Sequence, residues 1–348
     1  MVTWVTDLMQ IFLPQYTMNG LEIKDIMSAN GSLHTRVLRG ILPSRLSYLQ
    51  PLLYRSLCES MSHALKAGTE LPEHWTELKH FSLSKEIIAA ANSQAFFGSE
   101  LSNIPEFIKA ALEYPEDLFK TAEVLRLLPK PLAPAIAPIL MRRHRASNAL
   151  VSYLTPVIES RLKHSPWQDQ DPQVKPADCI QFFIDANSKK GAWTTHKLIQ
   201  VLLGMWFAAL HQPALLLTYA LEDLCDHPQY IEPLRKELRM CDINEEALDR
   251  LPLLDSFLKE SARLHPSDSI ALRRKVLQTF HFSDGTTLFP GDVACVPLQA
   301  IMQDPSNYVN GTQFDGKRFL HVENNGKTAS FTDPSPKYPL WGLGKHGW

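Results

Sequence analysis

The chain has 348 residues, of which 45% are hydrophobic and 21% are charged, and its formal net charge is −2. This balance is typical of a globular protein and excludes wholesale disorder. The near-neutral charge argues against a protein that binds polyanions, so we expect no nucleic-acid partner.

The five cysteines show neither a CxxC pair nor a nearby histidine at zinc-finger spacing. Their scattered positions indicate reduced thiols on the cytosolic side rather than a disulfide framework. Free cysteines usually serve as small buried hydrophobic residues, and we expect this of Cys58, Cys179, Cys225, Cys241 and Cys295.

The first residues, Met1–Leu13, are moderately apolar, but they include Asp7 and are too few to cross a bilayer. They also lack the basic start and the small-residue cleavage site of a signal peptide. No other stretch is expected to reach spanning length free of charge. We therefore predict that the chain has no membrane anchor of its own.

Apolar residues at helical spacing predict a mainly helical protein. In chain order, helices are predicted at Leu46–Ala67, Ser84–Phe97 with Gly98 as C-cap, Ile104–Leu128, Arg142 to about Lys163, about Lys197–Asp226, Ile231–Met240, Glu245–Arg250 and Pro252–Leu264. The helix that begins at Lys197 is the most hydrophobic and should lie in the core. Clustered prolines predict a connection rather than a helix at Pro129–Pro138, and His164–Pro176 is predicted to be a loop.

After Pro266 the pattern changes to short segments rich in β-branched and aromatic residues. Strands are predicted at Ile270–Val276, Thr279–Phe282, Thr286–Phe289 and Val293–Pro297. The turn Ser283-Asp-Gly285 between the second and third of these predicts a hairpin. The fold class is therefore mainly α with a small β region, followed by an irregular C-terminal part. Composition and periodicity do not indicate a function.

Two motifs place charged residues where they could meet. In E-S-A-R, Glu260 and Arg263 share one helix face at i and i+3 and can pair, although most such pairs are weak surface salt bridges. In F-D-G-K-R-F, Arg318 lies between two phenylalanines, from which it can reach Glu260 or extend to solvent alone. A third motif, W-G-L-G-K-H-G from Trp341 to Gly347, is a glycine-rich turn.

Together these motifs resemble the ExxR, PERF and FGxGxHxC motifs of the cytochrome P450 family. Two further segments resemble parts of the same family: Leu224–Glu237 resembles the helix before ExxR, and Phe282–Thr286 resembles a β-hairpin. Four others are similar to fungal members related to ent-kaurene oxidase, namely Gln15–Gly20, Phe96–Gly98, Leu125–Pro129 and Phe207–His211. The resemblance implies the cytochrome P450 fold, as one domain over residues 1–348. It also implies truncation at both ends, because the family's N-terminal anchor, first strands, cysteine-loop end and final helix have no counterpart here.

The resemblance implies roles for individual residues. Glu260, Arg263 and Arg318 correspond to a structural triad in which a forked guanidinium network holds the fold beside the haem. The implied cofactor is haem b, whose propionates Arg273 or Arg274 could bind, although one of two adjacent strand residues should point away. In the glycine-rich loop, the implied haem-binding residues are Gly342, Gly344 and His346.

The resemblance also implies where the chain departs from the family. His211 and Gln212 occupy oxygen-helix positions that commonly hold an acid and a threonine. His211 could relay protons, but Pro213 removes a backbone donor there. The cysteine that should bind the iron is replaced by Trp348, whose indole nitrogen only donates and cannot act as a thiolate. No metal ligand is therefore assigned.

Three hypotheses about function stay open. The first is a haem-thiolate monooxygenase that inserts one oxygen atom from O2 into a hydrophobic, terpenoid-like fungal secondary metabolite. It would receive electrons from NADPH-cytochrome P450 reductase at the cytosolic face of the endoplasmic reticulum membrane. The second is a catalytically inactive fragment or pseudoenzyme, because Trp348 stands at the cysteine position. The third is a helical binding module that kept only the apolar pocket.

Overall fold

The computed structural model describes residues 4–6, 12–18, 36–70, 76–163, 176–188, 193–241, 251–320 and 330–343. Contacts within the chain divide it into two compact units. The first unit is Gln10–His211, and the second combines Met1–Met9 with Gln212–Trp348. The prediction that residues 1–348 form a single domain stays a prediction.

Helices make up most of the described chain, as the apolar periodicity predicts. The α-helices are α1 (Pro14–Thr17), α2 (Leu46–Ala67), α3 (His80–Ser102), α4 (Pro105–Leu127), α5 (Ala133–Leu140), α6 (Arg145–Lys163), α7 (Cys179–Ser188), α8 (Thr195–Asp226), α9 (Ile231–Arg239), α10 (Pro252–Leu264) and α11 (Leu298–Gln303). The strands are β1 (Trp4–Thr6), β2 (Thr69–Glu70), β3 (Thr76–Glu77), β4 (Ala271–Val276), β5 (Phe280–His281), β6 (Thr287–Leu288) and β7 (Val293–Val296). The helix predicted at 245–250 and most of the loop predicted at 164–176 lie outside the described residues.

The core of the first unit is built from aromatic residues of several helices. Phe97 of α3 lies 4.9 Å from Phe107 of α4 and 5.0 Å from Trp206 of α8 between ring centroids. All three side chains are fully buried. Aromatic pairs of this geometry stabilise a core beyond the area they bury. The part of the hydrophobic helix α8 that precedes Gln212 thus lies in the core of this unit, where its composition predicts it.

A glycine interrupts α3 at the predicted C-cap. Gly98 has φ 69° and ψ 173°, although helical residues continue to Ser102. A Cβ at Gly98 would lie 2.4 Å from a carboxylate oxygen of Asp178, which Arg161 binds at 2.8 Å. Only glycine fits both this backbone conformation and this close approach. The buried ion pair at Gly98 connects α6 with the residues just before α7.

The proline-rich segment Pro129–Pro138 is helical, so the prediction of a connection there is wrong. A 3-10 turn at Lys130–Leu132 leads directly into α5. Pro134 lies in the first turn of α5, where a missing N–H costs nothing. Burial of Ala133 and Ala137 against Leu125 then stabilises the helix.

One described helix, α8, is long and apolar enough to cross a membrane, with 32 residues and a mean hydropathy of 1.5 in its most apolar window. The expectation that no stretch reaches spanning length free of charge is therefore wrong. A core helix passes the same test, and α8 buries Leu202, Leu203, Trp206 and Leu210. Length and composition alone do not place this helix in a membrane.

The second unit carries the predicted β region. Strands β1, β4 and β7 form an antiparallel sheet in the order β1-β4-β7, and β5 pairs with β6 around the predicted turn. Strand β1 was not predicted, because three residues are too few to show alternation. Helix α11 was not predicted either, since the C-terminal part was expected to be irregular.

Candidate functional site

A buried carboxylate joins two arginines in the second unit. Glu260 of α10 is fully buried, and its two oxygens accept hydrogen bonds from Arg263 Nε at 2.7 Å and Nη2 at 2.8 Å. Arg318 Nε donates to both oxygens at 3.0 Å, and the backbone N–H of Asp315 donates to Oε1 at 3.0 Å. The structure therefore brings together the three residues that the first two motifs indicated.

Backbone carbonyls hold the same guanidinium groups. Arg263 donates to the carbonyl oxygens of Met302 and Gly311, and Arg318 donates to two carbonyls within residues 309–313. A buried ion pair is stable only when its remaining hydrogen-bonding groups are also satisfied. The network meets this condition and connects α10 with α11 and with the residues that follow α11.

A second buried cation beside this network was not predicted. Lys259 is 3% exposed, and its Nζ donates to the carbonyl oxygens of Ser330 at 2.8 Å and Asp333 at 3.0 Å. The ammonium also lies 5.2 Å from the ring centroid of Phe319 and 4.8 Å from that of Tyr338. Such ring faces attract a desolvated cation. Because the carbonyl partners lie at least 71 residues along the chain, no local pattern marks this lysine.

The two arginines of β4 are engaged within the protein. Arg273 donates to both carboxylate oxygens of Asp268, at 2.6 and 3.2 Å, and Arg274 donates to the carbonyl of Arg273 at 2.9 Å. The strand register shifts between Ala271 and Arg274, where Leu272 has φ 52°. This bulge interrupts the alternation of side chains between the two faces of the strand, which was the reason to expect that only one of the two arginines faces a ligand. A carboxylate ligand would have to compete with Asp268 for Arg273.

The glycine-rich motif begins with a defined turn. Gly342 has φ 83°, and its N–H donates to the carbonyl of Pro339 at 3.0 Å. The indole N–H of Trp341 donates to the carbonyl of Phe331 at 3.1 Å, and the two rings pack edge to face. The positive φ explains why glycine is required at 342. The other loop positions lie outside the described residues: Gly344, His346 and Trp348.

His211 lies on α8 in an apolar part of the first unit. Its Nε2 is buried and has no hydrogen-bond partner among the described residues, and its ring meets that of Phe119 edge to face at 4.7 Å. Burial, and then the charge of Lys85, lower the pKa of His211 to about 4, while Glu116 acts in the opposite direction. The imidazole is therefore neutral at pH 7. The next residue, Gln212, is exposed.

The sequence motifs gave no indication of one titratable pair in the second unit. His265, at the end of α10, contacts Asp223 of α8 with 3.2 Å between Nε2 and Oδ1. The ring also stacks on Tyr219 at 4.8 Å. The hydrogen bond to Asp223 raises the pKa of His265 above its ordinary value, and burial opposes this only in part. The pair lies 42 residues apart in sequence, so spacing gives no signal.

Comparison with curated proteins gives fungal relatives named as monooxygenases. Cytochrome P450 monooxygenase olcJ of Penicillium canescens is 29% identical over 309 residues, which cover 86% of this chain and 57% of that relative. Cytochrome P450 monooxygenase AN1598 of Emericella nidulans is also 29% identical and is covered to 56%, whereas paxP of Penicillium paxilli is 29% identical and is covered to 67%. The chain thus spans a little over half the length of the first two relatives.

Comparison with solved structures supports the same fold. Retinoic acid-bound cyanobacterial CYP120A1 superposes with a TM-score of 0.70 at 20% identity, covering 96% of this chain and 71% of that one. A zebrafish cytochrome P450 with progesterone gives a TM-score of 0.66 at 18% identity, covering 97% of this chain and 75% of that one. A sequence model of the family described as Cytochrome P450 matches residues 20–338. The chain belongs to the cytochrome P450 family.

Proposed function

We propose that this protein, in a form that carries cysteine at position 348, is a haem-thiolate monooxygenase that inserts one oxygen atom from O2 into a hydrophobic, terpenoid-like fungal secondary metabolite. We further propose that this activity requires a cysteine at the position of Trp348. The observation that carries the proposal is the buried network of Glu260, Arg263 and Arg318, in a chain of the cytochrome P450 family. The fungal relatives named as monooxygenases support the reaction class.

The cofactor and the partners follow from the same proposal. Members of the family use haem and generally receive electrons from a redox partner. For this protein we infer haem b, NADPH-cytochrome P450 reductase as electron donor, and the cytosolic face of the endoplasmic reticulum membrane as location. The substrate is small and apolar, and inside an apolar site its binding gains from the removal of hydrophobic surface from water.

The residues of this chain fit a haem only in part. Arg273 and Arg274 supply cations that suit propionates, but Asp268 already binds Arg273. At the iron-ligand position, the indole of Trp348 offers an N–H donor and no thiolate. Cys295 is the cysteine nearest in sequence, and it is exposed on β7, so the expectation that it is buried is wrong. Trp348 therefore does not fit the position that the iron ligand should occupy.

Trp348 favours a second candidate function. Without the thiolate, the protein would be an inactive pseudoenzyme that keeps the fold and acts as a partner of another protein. The identity of residue 348 distinguishes the two candidates. A transcript that encodes cysteine after His346 and Gly347 would support the monooxygenase, and one that encodes tryptophan would support the inactive form.

The ferrous carbon monoxide spectrum tests the proposal directly, because a thiolate ligand displaces the absorption band to the red. We expect the protein with Trp348, loaded with haem, to lack this band and to turn over no substrate with reductase. The Trp348→Cys variant should gain the band, and Cys295→Ser should change neither protein. A red-displaced band with Trp348 in place would show that another cysteine is the ligand. A Trp348→Cys protein that binds haem but shows no such band would overturn the monooxygenase proposal.

A further inference from the structure

Prolines inside helices leave backbone carbonyls that need another donor. A proline has no N–H, so the carbonyl four residues before it loses its regular helical partner. Five described helices contain an interior proline. These prolines are Pro51 in α2, Pro115 in α4, Pro138 in α5, Pro156 in α6 and Pro213 in α8.

The five freed carbonyls lie in two kinds of environment. Three belong to the exposed residues Ser47, Pro134 and Ser152, where water can donate instead. The other two belong to Ala111, which is fully buried, and Ala209, which is half-buried. A carbonyl without a donor in such surroundings is costly, so these two positions need partners from the protein.

Each of these two carbonyls accepts a hydrogen bond from a side chain of another helix. The indole N–H of Trp206, on α8, donates to Ala111 at 2.8 Å. The side-chain amide of Asn92, on α3, donates to Ala209 at 2.7 Å. The side-chain donors thus occur at the two freed carbonyls that water reaches least. They compensate for Pro115 and Pro213 respectively.

We propose that Asn92 is a positioning residue of the oxygen-binding helix. Its amide supplies the hydrogen bond that Pro213 cannot give to Ala209, and this fixes the turn of α8 that carries His211. The inference rests on the proposed function and on the family resemblance, which implies that His211 and Gln212 occupy oxygen-helix positions.

The surroundings of His211 explain what Asn92 protects. Ala209 lies two residues before His211 on the same helix, and Phe119 covers the ring of His211. If the Asn92 donor is lost, water has to reach the Ala209 carbonyl and so enters this apolar region. The unpartnered Nε2 of His211 then becomes hydrated as well. The charged groups that act on this ring are Lys85 and Glu116, which pair with each other.

A double-mutant cycle tests the compensation. Asn92→Leu removes the donor at similar size and should raise the unfolding equilibrium constant by about tenfold or more. Pro213→Ala restores a backbone N–H to Ala209, so in that background Asn92→Leu should raise the constant by less than about threefold. Pro115→Ala is the matched control, because it restores the donor of Ala111 and should leave the effect of Asn92→Leu unchanged. Additive effects of Asn92→Leu and Pro213→Ala would overturn the proposal.

The titration of His211 separates positioning from general stability. In histidine-labelled protein, the NMR-detected pKa of His211 should move from about 4 toward the ordinary 6.5 in Asn92→Leu and return in the double variant with Pro213→Ala. An unchanged titration in Asn92→Leu would refute the positioning role. If Asn92→Leu does not fold, Asn92→Ala, which also lacks the donor and adds no charge, replaces it, and folding of its double variant with Pro213→Ala is then the expected rescue. Neither the double-mutant cycle nor the titration of His211 requires bound haem. Either experiment can therefore fail while the carbon monoxide test succeeds, and either can succeed while that test fails.

Discussion

Replacement of Glu260 by glutamine would remove the charge at the centre of the arginine network while keeping the shape of the side chain. The charge faces Arg263, whose side chain is fully buried, and Arg318, whose side chain is 14% exposed. Removal of one partner of a buried ion pair costs about 3–5 kcal/mol, because the other charge stays buried without compensation. Folded domains are stable by only about 5–15 kcal/mol. We therefore expect Glu260→Gln to remove a large share of the free energy of unfolding.

Urea unfolding followed by far-UV circular dichroism would measure this loss. Glu232→Gln is the matched control, since Glu232 pairs with Arg235 at the same i,i+3 spacing and at 2.9 Å, but these side chains are 68% and 60% exposed. An exposed pair of this kind contributes at most about 1 kcal/mol. Equal losses in the two variants, or a loss below about 1 kcal/mol for Glu260→Gln, would refute the view that the buried network holds α10 to its neighbours.

Three further predictions follow from individual contacts. Asp223 raises the pKa of His265, so the charged ring stabilises the fold below pH 6.5 and this contribution is lost as the pH rises through the raised value. The difference in melting temperature between wild type and His265→Gln should accordingly shrink at higher pH, and a constant difference would contradict the pairing. Lys259→Met removes the donor to the carbonyls of Ser330 and Asp333 and should speed chymotrypsin cleavage within residues 330–338 by about tenfold. An unchanged cleavage rate would contradict the view that Lys259 holds this segment in place. Gly98→Ala should destabilise the protein by about 1–3 kcal/mol in thermal unfolding because of φ 69°, and full stability would exclude that backbone conformation.

Helix positions could be predicted from the sequence wherever apolar periodicity is strong. The predicted ends of α2 and α10 are those of the structure, because each helix has one apolar stripe and clear breaks on both sides. The helix within Pro129–Pro138 was not predicted, because the sequence alone does not distinguish a proline in the first turn of a helix from a proline that breaks a helix. Local pattern therefore predicts elements well but does not show which turn a proline occupies.

The candidate site was predictable only where partners lie close in sequence or share a motif. Glu260 and Arg263 are three residues apart on one helix face, so their pairing could be foreseen. Asn92 and Ala209 are 117 residues apart, and Trp206 lies 95 residues from its acceptor, so only the folded chain reveals these donors. The bulge in β4 was equally invisible, because it depends on how β4 pairs with β7 rather than on its own residues.

The dependence of Pro213 on Asn92 makes the order of substitutions matter during evolutionary divergence. A lineage that gains proline at 213 first carries an unpaired carbonyl at Ala209 until a donor arises at 92. A lineage that gains the donor at position 92 first passes through a helix in which the Ala209 carbonyl has two donors. Each substitution then changes the free energy of unfolding only slightly. Among homologous chains, proline at the position of Pro213 should therefore be found together with a hydrogen-bond donor at the position of Asn92, and ancestral reconstructions should show the donor arising earlier.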